Sequence, residues 1–235
     1  MVGTPVAPGA AEMPPLQKIS SGGVQHSYYL YVPPSASPTA EAPLLVLLHG
    51  SGSDGRSMLH EWMALADTEG LVLVAPNSTS LVGWRVREDG PEFLHDVVEA
   101  AIGQAHVDRR RVYLFGYSAG AVYALTIGTI ESEYFAALAI FAGSWRDREN
   151  FLALKYGRRP IPVAFFIGDV DPFFSMSSVR ETKAAFEKAG HPVLLKVLPH
   201  QGHLYAAVSA RVNADAWEFL RATTLQAAPV YRPYR

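Results

Sequence analysis

The 235-residue chain contains no cysteine. Disulfide frameworks, thiolate metal sites and a cysteine nucleophile are therefore excluded, and the chain is indifferent to the redox state of its compartment. Charge is sparse as well: 18% of residues are charged and the net charge is −2. Without a basic surplus, neither nucleic acid nor an anionic membrane is expected as the main partner. The apolar runs are short, far below the ~18 residues that a membrane span needs. The opening segment, MVGTPVAPGAAEMPP, has neither the basic region nor the apolar stretch of a secretory signal. As written the chain reads as cytoplasmic, with a secreted form whose signal has been removed left open. Oligomeric state is left open too.

What is present points to a folded enzyme-sized domain. Hydrophobic residues make up 49% of the chain, too many for intrinsic disorder. The length suits one sizeable core. The proline-rich start and the end QAAPVYRPYR predict flexible tails over 1–20 and 226–235, flanking a single domain at 21–225.

Inside that domain strand and helix patterns alternate. Residues 24–32 mix β-branched and aromatic residues and stop at Pro33-Pro34, which reads as an edge strand. Continuous apolar runs at 44–48, 71–75, 111–115, 136–142 and 161–167, and the segment 193–198, read as further strands. Helical patterns fall at 57–69, 91–106, 118–130, 176–189 and 204–222. Strands separated by helices imply βαβ units: an α/β fold with a mostly parallel central sheet and helices on both faces. Ligands in such sheets sit beyond the carboxyl ends of the strands. Four motifs lie there.

Gly116-Tyr117-Ser118-Ala119-Gly120 follows the run RVYLF and opens a helix. G-x-S-x-G in that context is a nucleophile elbow: a sharp strand-to-helix turn that lifts a serine hydroxyl above the sheet and needs glycine on both sides. The helix N-terminus beneath it favours developing negative charge. His49-Gly50-Ser51-Gly52 follows the 44–48 strand. Its backbone can approach a bound carbonyl, and with the N–H of Ala119 it predicts an oxyanion hole, Ser51 N–H being the first choice and Gly52 the second. Gly168-Asp169-Val170-Asp171-Pro172 follows the 161–167 strand. An aspartate there can orient an imidazole; Asp171, before the turn-fixing proline, is preferred over Asp169, whose expected role is to accept loop N–H groups. His200-Gln201-Gly202-His203 follows the last strand, and His203 is preferred as the base. The H-x-x-H spacing lacks the carboxylate partners of a zinc site, so no metal and no cofactor is expected.

The order Ser118, Asp171, His203 is that of the α/β-hydrolase triad. Across about residues 24–222 the chain resembles α/β-hydrolases of the polyhydroxybutyrate-depolymerase and feruloyl-esterase group. The phrases that carry the likeness are YLYVP, LLHGSGSDG, DRRRVYLFGYSAGA, the GDVDP turn and Gly202-His203; Trp84 also resembles a tryptophan common in that group. The resemblance implies an α/β-hydrolase fold and serine-dependent hydrolysis of carboxylic esters, with Ser118 as nucleophile, Asp171 as acid and His203 as base. The stretch of about 18 residues between the 136–142 and 161–167 strands is too short for a lid domain, so a minimal cap and an open cleft for short-chain or aryl (feruloyl-type) esters are expected. Trp84, Tyr117, Trp145, Phe173, Phe174 and Tyr205 flank the motifs as candidate walls, Trp145 foremost because it follows a strand end. Thioester, lysophospholipid or peptide hydrolysis on the same fold, and a non-catalytic binding protein, are the competing readings. Arg109-Arg110-Arg111 lies at the other end of the sheet and reads as a solvated face, and Asp96 as structural.

Overall fold

The computed structural model describes residues 12–37 and 39–231. Eight strands form one sheet: β1 (Leu16–Ser21), β2 (Val24–Tyr31), β3 (Ala42–Leu48), β4 (Val72–Pro76), β5 (Val107–Tyr117), β6 (Leu138–Phe141), β7 (Val163–Gly168) and β8 (Val193–Leu198). Five α-helices connect or follow them: α1 (Gly55–Glu69), α2 (Pro91–Gln104), α3 (Ala119–Ile130), α4 (Met176–Lys188) and α5 (Ser209–Leu220). The strand order is β1-β2-β4-β3-β5-β6-β7-β8, with every pairing from β4 across to β8 parallel and the β1–β2 and β2–β4 pairings antiparallel, so that β2 alone runs against the others in this sheet.

The runs that read as buried strands are buried because helices cover both sides. Every residue of β3, β4, β6 and β7 is buried. From β3 the chain moves one way to β4, then returns past β3 to β5 and onward to β8. Right-handed crossovers then put α1 on one face and α2, α3 and α4 on the other. The carboxyl ends of β3 and β5 flank the point where the direction reverses, the place where such sheets bind ligands. Helix caps agree with the sequence: Asp54 accepts the Ser57 N–H (2.9 Å) at the start of α1, and Gly70 ends it at φ 65°.

Three expectations need correction. The stretch 16–20 is not tail: Leu16–Ser21 is β1, joined to β2 through Gly22-Gly23, both at positive φ, as a two-residue hairpin requires. Its signal was weak because LQKISS buries only its last residue. In consequence β2 is not an edge strand, since it lies between β1 and β4. The predicted C-terminal tail is anchored as far as it is described: Tyr231 stacks on His95 with centroids 4.2 Å apart. Residues 1–11 and 232–235 of the two expected tails lie outside the described residues.

The arginine run belongs to β5 and is fully paired. Arg109 meets Glu99 (2.5 Å), and Arg110 and Arg111 both meet the Asp108 carboxylate (3.1 and 3.0 Å). Asp96 contacts His95 at 3.5 Å on α2, away from the strand ends.

Candidate active site

Ser118 sits where β5 turns into α3, at φ 55°, ψ −117°. Such backbone costs a non-glycine residue on the order of 1–3 kcal/mol and persists only where its surroundings hold it. The Ser118 N–H donates to Phe141 of β6 (3.1 Å), and its carbonyl accepts the N–H groups of Ala121 and Val122 (3.0 and 3.1 Å). Glycine is required on both sides. A Cβ on Gly116 would lie 2.3 Å from the Gly120 carbonyl oxygen, and one on Gly120 would lie 2.1 Å from that of Leu48.

The loops after β7 and β8 bring Asp171 and His203 to Ser118. His203 Nε2 is 2.9 Å from Ser118 Oγ, and its Nδ1 is 2.7 Å from Asp171 Oδ2. With Nδ1–H donating to the carboxylate, Nε2 is free to accept the serine proton. The Asp171 side chain has no exposed surface, and its Oδ1 accepts the N–H groups of Phe173 and Phe174 (2.8 and 2.9 Å), which fix its rotamer. Asp169 has the other role: its Oδ1 accepts the His200 N–H (2.7 Å). His200 is exposed, at φ 58°. Tyr117 donates its hydroxyl to the His203 carbonyl (3.0 Å), and its ring lies 5.2 Å from the imidazole. Both ring nitrogens of His203 are thus engaged by Asp171 and Ser118. Among the described residues no group of three or more His, Asp or Glu could hold a metal ion.

Of the two oxyanion candidates after β3, Gly52 is engaged: its N–H donates to Leu81 (2.8 Å). The N–H groups of Ser51 and Ala119 have no acceptor among the described residues, and both residues line the cleft. The Gly50 carbonyl is held by His49 Nδ1 (2.8 Å), while His49 Nε2 accepts the Ser78 N–H (3.1 Å), so Nδ1 carries the proton. Burial pushes the His49 pKa down and keeps the ring neutral. In a trans peptide, pinning the Gly50 carbonyl turns the Ser51 N–H the opposite way.

The cleft above Ser118 has a volume of about 670 Å³. Its floor is the first two turns of α3, where Ala119, Val122, Tyr123 and Thr126 share one face. Trp84, Tyr117, Phe173 and Phe174 line it as expected. Trp84 is fixed by donating Nε1 to the His49 carbonyl (2.8 Å) and by stacking on Tyr123. Trp145 does not line the cleft. It is fully buried, with its ring against Phe151 and Phe186 and Nε1 donating to Thr126 Oγ1 (3.2 Å). Its backbone is tied to α4, where Thr182 Oγ1 accepts the Trp145 N–H (3.0 Å) and donates to the Trp145 carbonyl (3.3 Å). Tyr205 is likewise buried and bonded to Asn213. Arg146 was missed; its guanidinium lies 4.5 Å from the Phe174 ring centre, at the cleft edge. Nothing local in the sequence marks it, whereas the α3 floor follows from helical spacing after Ser118.

Residues 78–226 match the dienelactone hydrolase family. The chain belongs to that family. It is similar to a bifunctional acetylxylan esterase/xylanase of Neocallimastix patriciarum, 24% identical over 86% of this chain and 34% of that one. It is also similar to a poly(3-hydroxybutyrate) depolymerase of Ralstonia pickettii, 29% identical over 49% of this chain and 28% of that one. The chain spans less than half the length of the curated relatives it matches. Among solved structures, a ferulic acid esterase from Anaeromyces mucronatus superposes with a TM-score of 0.67 at 16% identity, covering 93% of each chain. That likeness identifies the α/β-hydrolase fold. The expected resemblance to depolymerases and feruloyl esterases holds.

Proposed function

We propose that this chain is a serine carboxylic ester hydrolase that works through an acyl-enzyme on short-chain or aryl esters. The observation that carries the reading is the continuous line from Ser118 Oγ through His203 to Asp171, with steps of 2.9 and 2.7 Å. His203 Nε2 takes the serine proton as Oγ attacks the ester carbonyl. The developing oxyanion faces the N–H groups of Ser51 and Ala119, the latter at the N-terminus of α3. His203 then protonates the leaving alcohol, Asp171 stabilising the imidazolium, and water cleaves the acyl-enzyme by the same steps.

The substrate class rests on the cleft. Between β6 and β7 the only regular element is a short 3₁₀ helix, Asn150–Lys155, so no lid domain is inserted there among the described residues. Phe173 stands 63% exposed at the mouth, edge-on to His203 with centroids 4.8 Å apart, where an aryl or short acyl group can lie against it. The relatives named above, an acetylxylan esterase/xylanase and a ferulic acid esterase, agree with small acyl groups of these two kinds.

The test is hydrolysis of p-nitrophenyl acetate, butyrate and octanoate and of methyl ferulate by the wild type and by Ser118→Ala. Turnover that falls off towards octanoate and vanishes in the variant is expected. Turnover that survives in Ser118→Ala overturns the mechanism, and a preference for octanoate overturns the substrate class. No ester turnover in the wild type overturns the assignment as a whole.

A further inference from the structure

Behind the cleft wall lies a buried ionisable pair that the reaction does not use. Asp89 has no exposed side-chain surface. Its carboxylate closes the loop after β4 upon itself: Oδ1 accepts the Thr79 N–H (2.9 Å) and Oδ2 accepts the Arg85 N–H (3.0 Å). Its backbone carbonyl accepts the hydroxyl of Tyr123, the ring on which Trp84 stacks. The loop closed in this way grips the segment after β3 at three points. Leu81 accepts the Gly52 N–H (2.8 Å), Val82 accepts the Ser51 hydroxyl (2.6 Å), and Trp84 Nε1 reaches the His49 carbonyl (2.8 Å). One carboxylate therefore stands behind the loop from which residues 49–52 hang.

His26 on β2 lies beside that carboxylate. Its side chain has no exposed surface, neither ring nitrogen has a hydrogen-bond partner, and Nδ1 is 3.9 Å from Asp89 Oδ1. The ring stacks on Phe93 at 3.8 Å. A buried carboxylate is stable only among donors or opposite charge. Asp89 has two backbone N–H groups and, on its remaining side, this imidazole. Burial pushes the His26 pKa down, against the opposing pull of Asp89 and Asp96, so near neutral pH the ring faces Asp89 as a neutral dipole.

We propose that His26 and Asp89 are a positioning pair: Asp89 clamps the 79–85 loop, a His26 Nδ1–H backs the carboxylate, and through the loop the pair holds the Ser51 N–H where the oxyanion forms. The consequence for rate rests on the serine-esterase reading; the clamp itself does not.

The test uses p-nitrophenyl acetate, together with amide hydrogen exchange over 49–56 and 78–90 by mass spectrometry. Asp89→Asn, which cannot accept both N–H groups, is expected to lower kcat about 10–100-fold with KM within about threefold, and to speed exchange in both segments. At position 26 two variants separate the roles. His26→Phe keeps the stack on Phe93 and loses the N–H; His26→Asn keeps a donor near Nδ1 and loses the stack. If the N–H matters, Asn retains more of kcat than Phe. Full activity in His26→Phe, or wild-type kcat and exchange in Asp89→Asn, overturns the proposal. Should Asp89→Asn fail to fold, the two variants at position 26 carry the test: kcat higher in His26→Asn than in His26→Phe is expected, and equal kcat in the two overturns the proposal. A wild-type chain inert towards esters removes the serine reading, while the exchange measurements still decide the clamp.

Discussion

Gly168, at the end of β7, packs so closely on the loop after β8 that a Cβ added to it would lie 1.9 Å from the Gln201 carbonyl oxygen. The same carbonyl accepts the Val170 N–H (3.2 Å), and the Asp169 N–H reaches Leu198 (3.1 Å). The loop carrying Asp171 and the loop carrying His203 are thus locked together where the first leaves its strand. Gly168→Ala must push them apart. A misplacement near 1 Å costs about 10²-fold in rate, so kcat on a small ester is expected to fall by about that factor, with a stability loss of roughly 1–3 kcal/mol from overpacking. Steady-state kinetics and urea unfolding read the two effects. Unchanged kcat would mean that the loops do not set the Asp171–His203 distance.

The two aspartates of the GDVDP turn give a sharper comparison. In Asp171→Asn the retained Oδ1 can still accept from Phe173 and Phe174, which turns the amide NH₂ towards His203. The imidazole must then accept at Nδ1 and carry its proton on Nε2, where it can no longer take one from Ser118. A kcat loss on the order of 10³–10⁴ is expected, against 10⁴–10⁶ for Ser118→Ala. Asp169→Asn keeps the acceptor for the His200 N–H and should stay within about threefold of wild type. Equal losses at 169 and 171 would contradict the assignment of the acid.

The succession of β2 to β8 along the chain and the placing of four motifs after strands were legible, because buried parallel strands are mostly continuous apolar runs and each motif follows one. Elements whose burial comes from the fold were less legible. β1 is mostly exposed and is held by its ladder to β2, so its six residues carry no hydrophobic signature. Trp145 shows the limit at the site: its ring goes into the core and its backbone is tied to Thr182 of α4, a partner 37 residues away that local sequence does not show. The choice between Ser51 and Gly52 also turned on tertiary structure, since the Leu81 carbonyl that engages Gly52 lies in a distant loop.

That contrast among the tryptophans can be measured. Trp84→Ala removes part of the cleft wall and a bond to His49, whereas Trp145→Ala empties a core site behind α3. Trp84→Ala is expected to raise KM for methyl ferulate severalfold while lowering stability modestly. Trp145→Ala is expected to cost about 3–5 kcal/mol of stability, in line with buried aromatic truncations, with KM unchanged below the unfolding transition. Phe173→Ala should raise KM for the aryl ester more than for the acetate, because its ring stands largely exposed at the mouth, edge-on to His203. The reverse pattern, with Trp145 governing KM, would place the cleft wall elsewhere.

Stability should also depend on pH in a defined window. His26, His49 and His191 are buried, and burial lowers the pKa of each below the ordinary 6.5. The pull of Asp89 on His26 and the carbonyls of Gly50 and Ile161 near the other two oppose the shift without reversing it. Well above pH 6.5 all three are neutral in the folded and the unfolded chain and contribute almost no slope. Below it the unfolded chain takes up protons that the folded chain refuses, so stability is lost as pH falls through the folded values. With three such groups the slope reaches at most ~4 kcal/mol per pH unit. The carboxylates with lowered pKa act in a lower window: Glu99, held down chiefly by its bonds to Arg109, titrates below 4.5, and Asp108, where burial is outweighed by Arg110 and Arg111, below 3.8. Urea midpoints are therefore expected to be flat from pH 8 to 7 and to fall between pH 6.5 and 5. His191→Asn, which keeps an acceptor for the Ile161 N–H, should remove up to one third of the slope. A midpoint that holds or rises on going from pH 7 to 5 would show that these imidazoles accept their protons inside the fold.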